Sequence, residues 1–171
     1  KRLEAAVASG SLRGLPRGIA YRLIEAGGVL LRQGLEGELK GLSNAERRAL
    51  RSLGVVIGAV TLHLPELIGA GRAFAAPFAL AAAPDWRPPG DGLSTLPAHR
   101  PDPRALSLRG LVAVGRHAAP VAALERMDEL LRSAARKGEG VLFSDQAREA
   151  LGWSESDAGA VLRALGWTTV G

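Results

Sequence analysis

The sequence predicts a mainly α protein of two small helical lobes joined by a proline-rich linker, the second lobe winged-helix-like with short strands. Three observations carry this expectation. Apolar residues make up 47% of the 171 positions and aromatic residues only 4%, so the apolar share is mostly Ala, Leu and Val, and Ala and Leu are strong helix formers. Short apolar-periodic runs are repeatedly opened by Ser or Pro and closed by Gly. Six of the ten prolines (Pro84, Pro88, Pro89, Pro97, Pro101 and Pro103) crowd into one stretch. The expected division is a basic helical lobe over 1–83, a linker over 84–104 and a second lobe over 105–171.

In the first lobe Leu3, Ala6 and Val7 share a helical face that stops at Ser9-Gly10. Pro16 is suited to the start of the next helix, where Ile19, Leu23 and Ala26 recur at i, i+4 and i+7 before Gly27-Gly28 ends it. Ser43 and Glu46 have the spacing of a capping box, which predicts a third helix with Leu50 and Leu53 facing inward and Arg47, Arg48 and Arg51 projecting elsewhere. Val55 to Leu64 is β-branched and imperfectly alternating, as a short strand would be. Pro65 then opens a helix expected over Glu66 to Leu80, with Leu67, Phe74 and Phe78 as anchors and Pro77 as a kink or an early end.

In the second lobe Gly110 and Gly115 bound a short strand. Val121 to Lys137 carries the clearest helical stripe of the chain: Val121, Leu124, Met127, Leu130 and Leu131. Ser144 and Gly152 bracket a short helix, and Ser154 or Ser156 caps another that ends at Gly166. Leu151-Gly152-Trp153 and Leu165-Gly166-Trp167 repeat one helix exit, and Trp167 to Val170 reads as a closing strand. Helix, short helix, turn, helix and strand in that order suggest a helix-turn-helix with a rudimentary wing. The last helix would be a poor reader of bases, since it offers Asp157, Arg163 and small residues.

Charge is concentrated at one end. Residues 1–51 hold ten Lys or Arg against five Asp or Glu, whereas 52–100 hold three of each and 101–171 nine of each, so the whole net charge of +5 lies in the first third. A patch of that sign attracts phosphate backbones. The candidate nucleic-acid-binding residues are Arg17, Arg22, Arg32, Lys40, Arg47, Arg48 and Arg51, because the guanidinium fork matches phosphate geometry. Tyr21 is the one aromatic among them, so backbone contact is expected rather than base stacking.

Other chemistries find no support. There is no Cys for a thiolate metal site or disulfide. His63, His99 and His117 are too far apart in sequence for a zinc motif, and no phosphate loop, dinucleotide fingerprint or nucleophile elbow occurs. Glu36 and Glu38 read as a solvated turn. No uninterrupted apolar run reaches the roughly 18 residues of a membrane span, which together with the missing Cys is compatible with the cytoplasm. Lys1-Arg2 with no initiator Met suggests a piece of a longer protein.

Two blocks carry a resemblance. The first, over 17–80, includes Leu50-Arg51-Ser52-Leu53-Gly54-Val55 and Leu64-Pro65-Glu66-Leu67. The second, over about 106–168, includes Leu124-Glu125-Arg126-Met127-Asp128-Glu129-Leu130-Leu131-Arg132 and Leu162-Arg163-Ala164-Leu165-Gly166-Trp167. Together they resemble the C-terminal accessory region of alphaproteobacterial superfamily-two helicases related to the mitochondrial degradosome RNA helicase. The chain departs from that family at Val56, at Ile68-Gly69-Ala70 and at Pro120, so no role is carried over to those positions.

The resemblance implies a non-catalytic module of an ATP-dependent RNA or DNA helicase. Its partners would be RNA or single-stranded nucleic acid and the motor domains of the same protein. No cofactor is expected in this chain, and ATP and Mg²⁺ would belong to the motor. The alternatives are a structural or protein-interaction domain with merely solvated arginines, and a small DNA-binding regulator.

Overall fold

A computed structural model of the chain describes residues 1–68, 92–134, 136–138 and 140–168. The expectation of a mainly α protein is corrected by it. Among the described residues helix accounts for about 52% and strand for 15%, in eight α-helices and two three-stranded antiparallel sheets with a further two-stranded pair, which makes the architecture mixed α/β. The strands are only two to four residues long. Runs that short cannot display an alternation, so they leave little trace in sequence.

The first part runs α1 (Arg2–Ala8), α2 (Gly14–Glu25), β1 (Val29–Leu31), a 3-10 turn (Arg32–Leu35), α3 (Glu36–Gly41), α4 (Asn44–Ser52), β2 (Val56–Ile57) and β3 (Thr61–His63). The sheet order is β1-β3-β2, with Leu30 opposite Leu62 and Ile57 opposite Leu62. Helix, strand, helix, helix and hairpin in this order are the topology of a winged helix-turn-helix. The expectation had placed that topology in the second lobe, and it lies instead in residues 14–63. The sequence concealed it because α3, six residues around Glu36 and Glu38, looks like a turn. Ile19, Leu23, Leu35, Leu39, Leu50, Val55 and Leu62 close the core beneath these elements, each at most 2% exposed.

The second part begins with β4 (Ser94–Thr95), inside the stretch expected to be linker, which pairs with β6 (His117–Pro120). Helix α5 (Pro103–Leu108) starts on an N-cap bond from the Arg104 amide to Asp102. Strands β5 (Leu111–Val114) and β6 then form a hairpin about Gly115-Arg116. Helix α6 (Val121–Ser133) follows at once, ending short of the expected Lys137, because Arg136–Lys137 (β7) pair with Gly140–Val141 (β8). Ser144 caps α7 (Asp145–Leu151), and Ser154 rather than Ser156 caps α8 (Glu155–Ala164).

The repeated helix exits hold. The amides of Trp153 and Trp167 reach back to the carbonyls of Arg148 and Leu162 at 3.1 and 3.0 Å, and Gly152 and Gly166 supply the left-handed residue this closure needs. Trp153 is buried against Leu124, Met127 and Val161, whereas Trp167 is exposed. Of the helix expected over Glu66 to Leu80, residues 66–68 lie in a turn; the rest, with Phe74, Pro77 and Phe78, lies outside the described residues, as do Pro84, Trp86, Pro88, Pro89 and Val170.

The two parts are in contact. Leu31 and Val60 of the first pack against the core of the second. Arg104 Nε donates to the Glu25 carbonyl at 2.9 Å, Ser107 Oγ to the Ala26 carbonyl at 3.2 Å and Gln33 Nε2 to the Ala164 carbonyl at 3.1 Å.

Candidate nucleic-acid interface

Helix α4 is the second helix of the α3–α4 pair, and its local design is visible in the sequence. Ser43 Oγ accepts from the Glu46 amide at 3.1 Å while the Glu46 carboxylate accepts from the Ser43 amide at 2.8 Å, so the expected capping box is formed. Leu50 is fully buried and Ala49 and Leu53 pack beside it. With 3.6 residues per turn, that leaves Asn44, Arg48 and Arg51, at i, i+4 and i+7, on the outward face. All three are exposed.

The seven cationic residues expected to bind nucleic acid divide into two groups. Arg22 Nη1 is bonded to Glu38 Oε1 at 3.0 Å and ties α2 to α3. Arg32 pairs with Glu36 at 3.3 Å and its Nη1 donates to the Gly58 carbonyl at 3.0 Å. Arg47, half-buried, donates from Nη2 to the Leu39 carbonyl at the end of α3. These three are occupied in holding the helices and the hairpin together. Arg17, Lys40, Arg48 and Arg51 are exposed and make no ion pair among the described residues. Only Arg48 and Arg51 of these share a helix face. Asn44 was not singled out from sequence, although its i+4 and i+7 spacing to the two arginines was there to be read.

A cleft of about 570 Å³ lies between α2 and the start of α5, lined by Tyr21, Arg22, Glu25, Leu30, Asp102 and Arg104. Its two guanidinium groups face carboxylates, with Arg104 4.0 Å from Glu25, so it adds no free positive charge to the α4 face.

The histidines are held apart. His117 Nε2 lies 3.0 Å from Asp157 Oδ1, and the Ser154 hydroxyl together with that ring hold the Asp157 carboxyl below the usual carboxylate range. His63 Nδ1 lies 3.0 Å from Thr61 Oγ1, whose single proton goes to Glu125 Oε1 at 2.9 Å. The ring must therefore donate from Nδ1. Burial pushes His63 below its ordinary value, against the opposing pull of the Glu125 carboxylate. His99 is exposed. Among the described residues no group of three or more His, Asp or Glu is placed to hold a metal ion, and no helix is long and apolar enough to cross a membrane.

The lowered value of His63 has a defined sign. An unfolded chain takes up a proton there near pH 6.5, before the folded chain does, so stability is at full strength above about 6.5 and falls as the pH drops towards the folded value. Urea midpoints at pH 7.5, 6.5 and 5.5 should decline more steeply for the wild type than for His63→Gln. Parallel curves would mean that the ring is not held neutral by its surroundings.

Comparison of the chain with family models, with curated proteins and with solved structures finds no match in any of the three.

Proposed function

We propose that the chain is a non-catalytic module of an ATP-dependent RNA or DNA helicase and meets the nucleic-acid backbone through the outer face of α4. The observation that carries this reading is the pair Arg48 and Arg51. They project from the second helix of a helix-turn-helix, exposed and with no ion pair among the described residues, where neighbouring arginines are spent on internal bonds. Guanidinium groups so placed suit phosphate oxygens, and the electrostatic term they supply is independent of sequence. The resemblance of both blocks to the helicase accessory region supplies the motor as context. ATP and Mg²⁺ belong to that motor in this reading, so the chain by itself should show no RNA-stimulated ATP hydrolysis. Turnover by the purified chain would end the accessory-module reading.

The binding test is a salt titration followed by fluorescence anisotropy on a labelled single-stranded RNA. Each phosphate contact contributes about 0.7 to the slope of log K against log salt on a single strand, so Arg48→Gln with Arg51→Gln should lower that slope by about 1.4. Gln keeps the helix propensity and leaves Leu50 untouched, so folding should persist. Affinity should fall alike for all sequences, and Arg163→Gln should matter much less. Coincident curves for wild type and the double variant would leave the α4 face a solvated surface. The reading as a protein-interaction domain, which the internal bonds of Arg22, Arg32 and Arg47 already favour for those residues, would then replace this one.

A further inference from the structure

The β2–β3 hairpin is the wing of this fold, and its tip is occupied. The carboxylate of Glu125, in the middle of α6, sits against it: Oε2 accepts from the Ala59 amide at 3.0 Å, and Oε1 accepts from the amides of Val60 at 3.2 Å and Thr61 at 2.9 Å and from Thr61 Oγ1. Successive amides turned towards one point form a concave donor set suited to an anion. Here the anion is the protein's own side chain, from a residue more than sixty positions away. The Gly58 carbonyl at the same tip is taken by Arg32, the Val60 carbonyl by the Arg32 amide at 2.8 Å, and the Val60 side chain packs into the second core. Gly58 itself is a fitted part. A Cβ there would collide with Glu125 Oε1 and lie 2.8 Å from its Cδ and 2.9 Å from the Thr61 carbonyl oxygen.

We infer that this hairpin is the joint that fixes the second part of the chain on the first, with Glu125 as its positioning residue, and that it is not a nucleic-acid contact. A wing that meets phosphates needs free amides or projecting cations. This one has its amides filled by a carboxylate and Arg32 turned onto its Gly58 carbonyl, so it would repel a phosphate. The inference does not depend on α4 binding nucleic acid.

Hydrogen exchange reads the joint directly. In Glu125→Gln, which keeps shape and removes charge, protection at the Ala59 and Val60 amides should fall at least tenfold, while amides in α2 and α4 keep theirs. Gly58→Ala should give the same loss by expelling the carboxylate. The two together should do no more than either alone, since both remove one interaction.

The chain has no Cys, so labels at Ala45→Cys on α4 and Ala122→Cys on α6 report only the chosen pair. Their spin-label distance should be narrow in the otherwise unaltered chain and broad once Glu125→Gln is added. Unchanged protection, or an equally narrow distance in that variant, overturns the joint. Should Glu125→Gln fail to fold, Thr61→Val, which removes one of the four donors to the carboxylate together with the acceptor of the His63 Nδ1 proton, carries the test. It should cost about threefold in protection, and no change there overturns the inference equally.

Discussion

Leu50→Ala should be the most damaging single change in the first part of the chain, lowering stability by about 3–5 kcal/mol. Leu50 is the one fully buried side chain of the nine-residue α4, and it sinks the helix into the core of Ile19, Leu23, Leu39 and Leu62. A helix of that length has no stability of its own in water, so losing its anchor loses the helix. For a chain of this size the melting temperature should fall by roughly 5–20 °C. The useful comparison is with the surface of the same helix. Arg48→Gln with Arg51→Gln should leave the melting temperature within a few degrees and change only the salt slope, whereas Leu50→Ala should depress both together. Differential scanning calorimetry and anisotropy on the same samples make the comparison. A Leu50→Ala protein that melts like wild type would mean that α4 is not seated as described.

Gly27→Ala should be the second large effect, at about 2–5 kcal/mol, and its cause is different. Gly27 has φ +80°, where an L side chain costs about 1–2 kcal/mol, and its added Cβ would lie 2.7 Å from Arg104 Cα. That neighbour is backbone and cannot swing away. Helix α5 must retreat, and the bonds from Arg104 Nε to the Glu25 carbonyl and from the buried Ser107 hydroxyl to the Ala26 carbonyl go with it. Leaving a buried donor unsatisfied adds about 1–3 kcal/mol. Gly14→Ala is the control, since Gly14 has a similar φ of +63° but nothing within 4 Å of a Cβ. It should show the strain alone. Urea midpoints that are equal for the two variants would show that α5 does not press on the end of α2.

The helix starts were legible because a cap is a local device. Ser43 with Glu46, Ser144 and Ser154 announce themselves within four residues, and the structure forms each. The stripe on α6 and the glycine-bounded β5 were legible for the same reason. The sheets were not, since β1 pairs with β3 at separations of 30 to 34 positions and β4 with β6 at 22 to 24, in strands too short to show a period. The candidate interface was legible as charge but not as availability. A count of arginines cannot tell that Glu38 has taken Arg22 or that the Leu39 carbonyl has taken Arg47. Glu125 is the clearest case. In sequence it is one more acidic residue on an amphipathic helix, and its role exists only because residues 58–61 fold back to meet it.

Among the described residues most buried apolar side chains gather in three clusters, one beneath α1 to α4, one around α6 and Trp153, and a small one of Leu96, Leu106, Leu111 and Ala118. Separate cores allow separate openings. Exchange of the slowest amides should therefore fall into distinct classes, with those of α2 and α4 belonging to one cooperative unit and those of α6 and α8 to another. Under mild denaturant the unit that carries Arg48 and Arg51 can stay folded while its neighbour opens.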